Sequence, residues 1–264
     1  MFITDRTHHN ITNGSKGIMK EEVRIPNISV SALSLFRDCA YAYALKYKKK
    51  KQAIFWDFDV LDVGSYAHDA IDLYYKKDFL TKASSYLDIL ANSYHEFKLI
   101  WDRTLSVNDF KKGYTSLENH AKWEFGNLQS GISTKPLTEL KIKIDGLYVI
   151  IDYVNLDTKK VIDWKTSMHA NLSHKYRMQA EFYKRGYDKY FDADLKNFYF
   201  FFLYPNEWRT VKFGNEKQNK IKEEVDDLLI KVKQCWKHNH FPKNPRTDKG
   251  CNNCLYKFYC KNNK

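Results

Sequence analysis

The sequence lacks any run of apolar residues long enough to cross a bilayer, and its opening, MFITDRTHHNITNGSKG, contains no apolar core of a secretion signal. We therefore expect a soluble, cytoplasmic protein with no membrane partner. Internal repeats and low-complexity linkers are also missing, so nothing divides the chain into independent domains. The motor motif G-x-x-x-x-G-K-[ST] is absent too, so this chain is not expected to be the motor of a helicase.

Acidic residues are the scarcer charged class. The chain has 44 Lys and Arg against 32 Asp and Glu, which gives a formal net charge of +12. The excess is concentrated at Lys46, at Lys48–Lys51 and in the C-terminal tail. Because clumped positive charge gains most from displacing counterions along a phosphate backbone, a polyanion partner is favoured. A basic face that serves only solubility is the alternative.

The first part of the chain changes from polar to helical character. Residues 1–25 have no period and are predicted to form a flexible leader, followed by a single domain over 26–264. Ser31 is predicted to cap a helix that runs into the lysine cluster, and a second helix is predicted to start near Gly64.

Helical periodicity continues over 80–128, predicted to be an insertion with a turn at 101–110, and then gives way to alternation. Residues 139–167 alternate at period two and contain the turn dipeptide Asp145-Gly146, which predicts three consecutive antiparallel strands. The order αβββαβ predicts a mixed α/β sheet flanked by helices. The remaining predicted elements are a helix over 173–190, strands at 197–205 and 208–213, and a helix over 216–238.

The stretch KVIDWKTS places an acid and a lysine on one face of the third strand, Asp163 and Lys165, with Asp152 in the neighbouring strand. Two carboxylates in a dry sheet repel each other unless a cation lies between them, so a divalent metal explains their presence. The lysine could orient a water molecule or offset charge on a phosphate. Exposed charges that pair on an edge strand are the alternative explanation.

Two further segments carry side chains suited to such a site. His68 can supply a neutral nitrogen to Mn²⁺ or Mg²⁺, although an ordinary core or surface histidine is the alternative. Gln179 and Tyr183 lie four apart on one predicted helical face and could contact a nucleic-acid strand.

The ordered set GSYAH, IIDYV, VIDWKTS and QAEFY resembles the RecB-type branch of the PD-(D/E)xK nuclease superfamily, from about residue 31 to the end. The resemblance implies a restriction-endonuclease-like fold and a metal-dependent DNA nuclease. Ile151 precedes Asp152, and Glu139 is expected to lie at a distance, so the resemblance assigns no third carboxylate. It implies these roles: Mg²⁺ or Mn²⁺ ligands His68, Asp152, Asp163 and the Trp164 carbonyl; Lys165 to activate water; and Gln179 and Tyr183 to position the substrate.

Five cysteines, an odd number, indicate metal or cluster ligation before disulfides in an intracellular chain. Four thiolates suit either Zn²⁺ or an iron-sulfur cluster, and spacing does not separate the two. The pattern resembles the cluster-bearing subgroup of the same superfamily, similar to CRISPR-associated Cas4 proteins. That resemblance implies a [4Fe-4S] cluster that joins segment 251–260 to an N-terminal cysteine, while Cys235 stays a free thiol. The implied ligands are Cys39, Cys251, Cys254 and Cys260.

Two functions are expected from these features. The first is a Cas4-like exonuclease that acts on single-stranded DNA or DNA ends, although an endonuclease fits the same residues. The alternative is a non-catalytic DNA-binding or scaffolding subunit of a recombination or CRISPR adaptation complex. Partners are then DNA, a second copy of the chain, or proteins of those complexes, and an AT-rich, even phage, origin fits the composition. Tyr41, Tyr43 and Tyr47 could stack on bases or pack against the sheet.

Overall fold

The structure is a computed structural model and describes residues 25–53, 59–77, 83–100, 106–132, 135–245, 251–252 and 254–261. All but the last residue of the predicted leader lies outside these ranges. The elements in chain order are β1 (Ile28–Ser29), α1 (Val30–Asp38), α2 (Ala40–Tyr43), a π-helical turn (Ala44–Lys48), α3 (Asp59–Lys76), α4 (Tyr86–Ile100), α5 (Val107–Gln129), β2 (Leu137–Ile144), β3 (Leu147–Asn155), β4 (Lys160–Lys165), α6 (His174–Phe191), β5 (Asn197–Phe202), β6 (Glu207–Lys212), α7 (Glu216–His238) and α8 (Lys257–Lys261).

The strands form one mixed sheet in the order β1-β3-β4-β5-β6, with β2 also paired to β3. The β2–β3, β3–β4 and β5–β6 pairs are antiparallel, whereas β1–β3 and β4–β5 are parallel. Asp145 and Gly146 both have positive φ, 50° and 77°, which the two-residue hairpin between β2 and β3 requires. The mixed sheet flanked by helices, predicted from the order of periods, is therefore confirmed.

Helices cover both faces of the sheet. Helices α1, α6 and α7 pack on one face, and α3, α4 and α5 pack on the other. Alternation along β4 separates the two layers, since Val161 contacts the first group and Ile162 contacts the second. Strand β5 is apolar on both faces because it is covered twice, with Phe200 in the first core and Phe201 in the second.

Several element boundaries differ from the prediction. Helix α1 is capped by Ser29, whose side chain accepts a hydrogen bond from the Ala32 amide, rather than by Ser31. The helix predicted to continue into the lysines is interrupted at Cys39, whose backbone is extended (φ −166°, ψ 116°), and resumes as α2 and the π-helical turn as far as Lys48. Helix α3 starts at Asp59, before Gly64. The predicted turn at 101–110 is helical from residue 107 onward.

Candidate active site

Strand β4 brings Asp163 and Lys165 to the face of the sheet that α6 covers. Successive strand side chains point to opposite faces, so both lie on the side of Val161, while Trp164 points into the opposite core. Lys165 Nζ forms an ion pair with Asp163 Oδ2. The aspartate is almost fully buried, with 2% of its side chain exposed, whereas 18% of the lysine remains accessible. The pair therefore lies at the bottom of a site that solvent can enter.

Two aromatic rings hold the lysine from the other side. Lys165 Nζ lies 5.2 Å from the centroid of the Tyr176 ring and 5.6 Å from that of Phe200. Burial lowers the pKa of Lys165, but the carboxylates of Asp163 and Asp152 outweigh it and raise that pKa above its usual value. Lys165 is therefore an ammonium group, which donates hydrogen bonds and offsets negative charge.

Gln179 and Tyr183 contact Asp163 from α6. Gln179 Nε2 donates to Asp163 Oδ1 over 2.6 Å and to the Tyr183 hydroxyl over 3.1 Å. Residues four apart share one face of a helix, and Ser173 caps the helix through the Tyr176 amide, which sets where that face begins. Both side chains are buried, so the structure places them behind the carboxylate rather than on an open surface.

Asp152 lies where β3 and β4 separate. The last backbone pair of this ladder is Tyr153 with Ile162, and beyond it the Asp152 side chain accepts a hydrogen bond of 2.7 Å from the Trp164 amide. His68, on α3, approaches from the other side, with Nδ1 3.4 Å from Asp152 Oδ2. The His68 ring also makes a hydrogen bond to the Trp164 backbone, so the carbonyl expected to bind metal faces this histidine.

Glu139 is a third carboxylate at this point, and the expectation that it lies at a distance is wrong. Ligand atoms of His68, Glu139 and Asp152 all lie within 4.8 Å of one another. The β2–β3 register explains this, because pairs on both sides of the position place Glu139 opposite Asp152. The Glu139 backbone has a positive φ of 46°, uncommon for a residue with a side chain, and interrupts the ladder there.

Without a bound metal ion, ionisation of the carboxyl groups of Asp152, Asp163 and Glu139 is unfavourable. Burial raises the pKa of Asp152 and of Asp163 to about 6 in each case. Burial, reinforced by the Asp152 carboxylate, raises the pKa of Glu139 to about 7. Burial and the Lys165 ammonium lower the pKa of His68 to about 4, so its ring is neutral and can act as a ligand. Two carboxylates and a neutral imidazole fit a divalent ion such as Mg²⁺ or Mn²⁺.

The sequence profile of the PD-(D/E)XK nuclease superfamily matches residues 27–261. This chain belongs to the PD-(D/E)XK nuclease superfamily. Membership implies a hydrolytic nuclease that uses divalent metal and binds nucleic acid. No curated protein matches the sequence. Among solved structures, "Crystal structure of SSO0001" aligns with 83% of this chain and 94% of that one, at 11% identity and a TM-score of 0.33.

Four of the five cysteines lie near one another at the C-terminal end of α1. Cys39, at the break between α1 and α2, and Cys254 pack in one cluster with Tyr256. Burial raises the pKa of Cys254, and the neighbouring Cys39, Cys251 and Cys260 thiols raise it further. In the described part of the chain, the groups of three or more ligand atoms within 4.8 Å of one another do not include these thiols. The four thiols are therefore neighbours, but no three of their Sγ atoms all lie within 4.8 Å of one another.

Among the described residues, no helix is long and apolar enough to span a membrane.

Proposed function

We propose that the chain is a metal-dependent DNA nuclease that acts as a Cas4-like exonuclease on single-stranded DNA or DNA ends, with Mg²⁺ or Mn²⁺. One observation carries this proposal. His68, Glu139 and Asp152 converge within 4.8 Å where the strands part, and the Asp163–Lys165 pair lies on the next strand. A site for binding alone does not need a buried lysine beside three carboxylates whose charges oppose one another.

The metal ligands in this proposal are His68, Glu139 and Asp152, joined by Asp163 and the Trp164 carbonyl. A divalent ion bound there supplies positive charge to the scissile phosphate and lowers the pKa of a bound water. The Trp164 amide holds Asp152 in place through its 2.7 Å hydrogen bond. The neutral His68 ring keeps a nitrogen lone pair available because burial opposes its protonation.

Lys165 acts on the water and the phosphate. In hydrolysis the water oxygen bonds to phosphorus, the bond from phosphorus to a sugar oxygen breaks, and negative charge grows on the phosphate oxygens. Because Lys165 keeps its proton, we assign it to orient the water and to offset that charge. The rings of Tyr176 and Phe200 limit the positions its ammonium group can take.

Gln179 and Tyr183 act through Asp163 in this proposal. The Gln179 amide fixes one Asp163 oxygen, which leaves the other toward Lys165, and the Tyr183 hydroxyl orients the amide. This supports a positioning role for both residues, alongside the substrate contact that the resemblance implies.

The four cysteines hold a [4Fe-4S] cluster in this proposal, with Zn²⁺ as the alternative. A tetrahedral Zn²⁺ with bonds of about 2.3 Å needs four sulfur atoms about 3.8 Å apart, whereas no three of these Sγ atoms all lie within 4.8 Å of one another. A larger cluster tolerates their wider spacing. Cys254→Ser should lose iron and visible absorbance from anaerobically purified protein, whereas Cys235→Ser should keep both. Stoichiometric zinc without iron would favour the alternative.

The experiment that tests the catalytic proposal is cleavage of end-labelled single-stranded DNA with Mn²⁺. Lys165→Ala should remove cleavage and leave DNA binding almost unchanged, and a metal-free reaction should give no product. Lys184→Ala is a matched control, because 18% of its side chain is exposed and it too pairs with aspartates, but outside this site. Equal cleavage by both variants would refute the role of Lys165, and no cleavage by wild-type protein that binds DNA would shift the interpretation to a scaffolding subunit.

A further inference from the structure

Two segments that are distant in the sequence meet to form one basic surface. The Tyr41 amide donates to the Pro242 carbonyl over 3.1 Å, and Trp236 Nε1 donates to the Tyr43 hydroxyl over 3.1 Å. Lys48 also donates to the Asn239 side chain. These contacts join residues 41–51 to residues 233–245, and we call the two together the lysine surface. Its shape is therefore fixed by the fold and not by the lysine run alone.

The lysine surface contains no acidic residue in either segment. Within the described residues, no carboxylate lies at ion-pair distance from the lysines of residues 46–51. By contrast, lysines near the start of α7 alternate with acids, as in the Lys220–Glu216 pair. The charge of Lys46 and Lys48–Lys51 is therefore not compensated by ion pairs within the described residues, and a polyanion would relieve its self-repulsion.

Aromatic rings lie beneath the ammonium groups. The Tyr41 ring has Lys49 Nζ at 5.0 Å and Lys243 Nζ at 5.1 Å from its centroid. The Trp236 ring has Lys48 Nζ at 5.2 Å. Tyr43, with 1% exposure, is a core residue. Tyr41 and Tyr47, the other two tyrosines that could have stacked on bases, instead lie against lysine head groups, with Lys46 Nζ 5.1 Å from the Tyr47 centroid, which suits contact with phosphates more than reading of bases.

The start of α6 contacts both α1 and the candidate active site. Burial raises the pKa of Asp38, which lies next to the break at Cys39, and the nearby Lys175 ammonium partly opposes this shift. Lys175 is exposed in the first turn of α6, and the next residue, Tyr176, lies against Lys165. The start of α6 therefore joins the end of α1 to the site, with the carboxylates of Asp38 and Glu224 beside Lys175 and His174.

We propose that the lysine surface is a nucleic-acid contact outside the catalytic centre, which holds the phosphate backbone of the substrate strand without regard to base sequence. This inference rests on the proposed nuclease function. It adds a place where the strand is held and predicts that binding there depends on charge number and salt.

The test is DNA binding by a triple variant, Lys46→Ala/Lys49→Ala/Lys237→Ala, measured by fluorescence anisotropy in EDTA so that no cleavage occurs. Each phosphate contact to a single strand contributes about 0.7 to the slope of log affinity against log salt, so the slope should become shallower by about 2. If the triple variant and the wild type bind DNA equally at 1 M salt, the variant should bind DNA about 50-fold more weakly at about 0.15 M salt. The control removes equal charge from exposed lysines elsewhere, Lys111→Ala/Lys217→Ala/Lys220→Ala.

The arginine triple at the same three positions should bind as the wild type does, which separates charge from folding. Equal losses in the two alanine triples would overturn the proposal, as would an unchanged slope. Binding to phosphatidylserine vesicles, with no loss of DNA affinity in the lysine-surface variant, would assign the surface to a membrane instead. Wild-type protein that binds DNA through these lysines but never cleaves it would refute the nuclease proposal and leave this inference standing.

Discussion

Replacing Glu139 with glutamine should stabilise the metal-free protein while weakening its response to metal. Burial, reinforced by the Asp152 carboxylate, raises the pKa of Glu139 from 4.5 to about 7. A carboxyl group with a higher pKa in the folded state binds more protons when folded than when unfolded. Its ionisation therefore lowers the free energy of unfolding as the pH rises from about 4.5 to about 7, and above pH 7 the loss is complete.

The size of the effect follows from the two pKa values. The difference between about 7 and 4.5 corresponds to about 3.4 kcal/mol at 1.36 kcal/mol per pH unit. Solvent screens part of this because the Glu139 side chain is only half-buried, so we expect about 2 kcal/mol. Glutamine has a similar shape and no charge, so the variant should recover this amount in the absence of metal.

The assay is urea unfolding at about pH 8, once in EDTA and once in Mn²⁺. In EDTA, Glu139→Gln should be more stable than the wild type by about 2 kcal/mol. In Mn²⁺ the wild type should gain more stability than the variant, because binding to the folded state alone stabilises it by mass action. Glu216→Gln, an exposed carboxylate on α7, should change neither value. An Mn²⁺ response equal to that of the wild type, or a less stable variant in EDTA, would refute the reasoning.

Two further substitutions, the second with a control, test the cores on each side of the site. Burial lowers the pKa of His120 to about 3, so below about pH 6.5 only the unfolded chain gains its proton. Between pH 7 and pH 5, wild-type protein should therefore lose about 2 kcal/mol more than His120→Gln in urea unfolding, and parallel losses would contradict this. Gly186→Ala should lower the melting temperature, with a cost of about 1–3 kcal/mol, because its new Cβ would lie 2.7 Å from a Val149 methyl. The control is Gly126→Ala, whose added methyl group meets nothing within 4 Å, so its free energy of unfolding should rise by up to about 1 kcal/mol. A melting temperature of Gly186→Ala at or above that of the wild type would contradict the expected clash and show that β3 moves to admit the methyl group.

Long periodic segments made the fold predictable. Strands β2 to β4 alternate over enough residues to show period two, and α7 repeats its apolar positions over six turns, so its predicted bounds match the structure. Short elements carry no such period. Strand β1 has two residues and the π-helical turn has five, and the turn contacts the end of α7 through the Lys48 side chain, which donates to Asn239.

The candidate site was predictable where residues are close in sequence. Asp163 and Lys165 share a face by period alone, but Glu139 joins Asp152 only through the hairpin register. That register could have been counted from the Asp145-Gly146 turn, which places Ile144 opposite Leu147 and hence Glu139 opposite Asp152. The positive φ at Glu139 and the hydrogen bond that the Trp164 amide donates to the Asp152 side chain depend on tertiary contacts, which no local sequence pattern predicts.

The proposal that buried carboxylates at this site hold a catalytic metal is tested most directly by Mn²⁺-dependent cleavage of single-stranded DNA by Asp152→Asn. The matched control is Glu181→Gln, a carboxylate that is also buried but lies on α6 away from the site. We expect Asp152→Asn to lose at least about 100-fold in rate while binding DNA normally in EDTA, and Glu181→Gln to cleave as the wild type does. Cleavage by Asp152→Asn at the wild-type rate would contradict the proposed metal site.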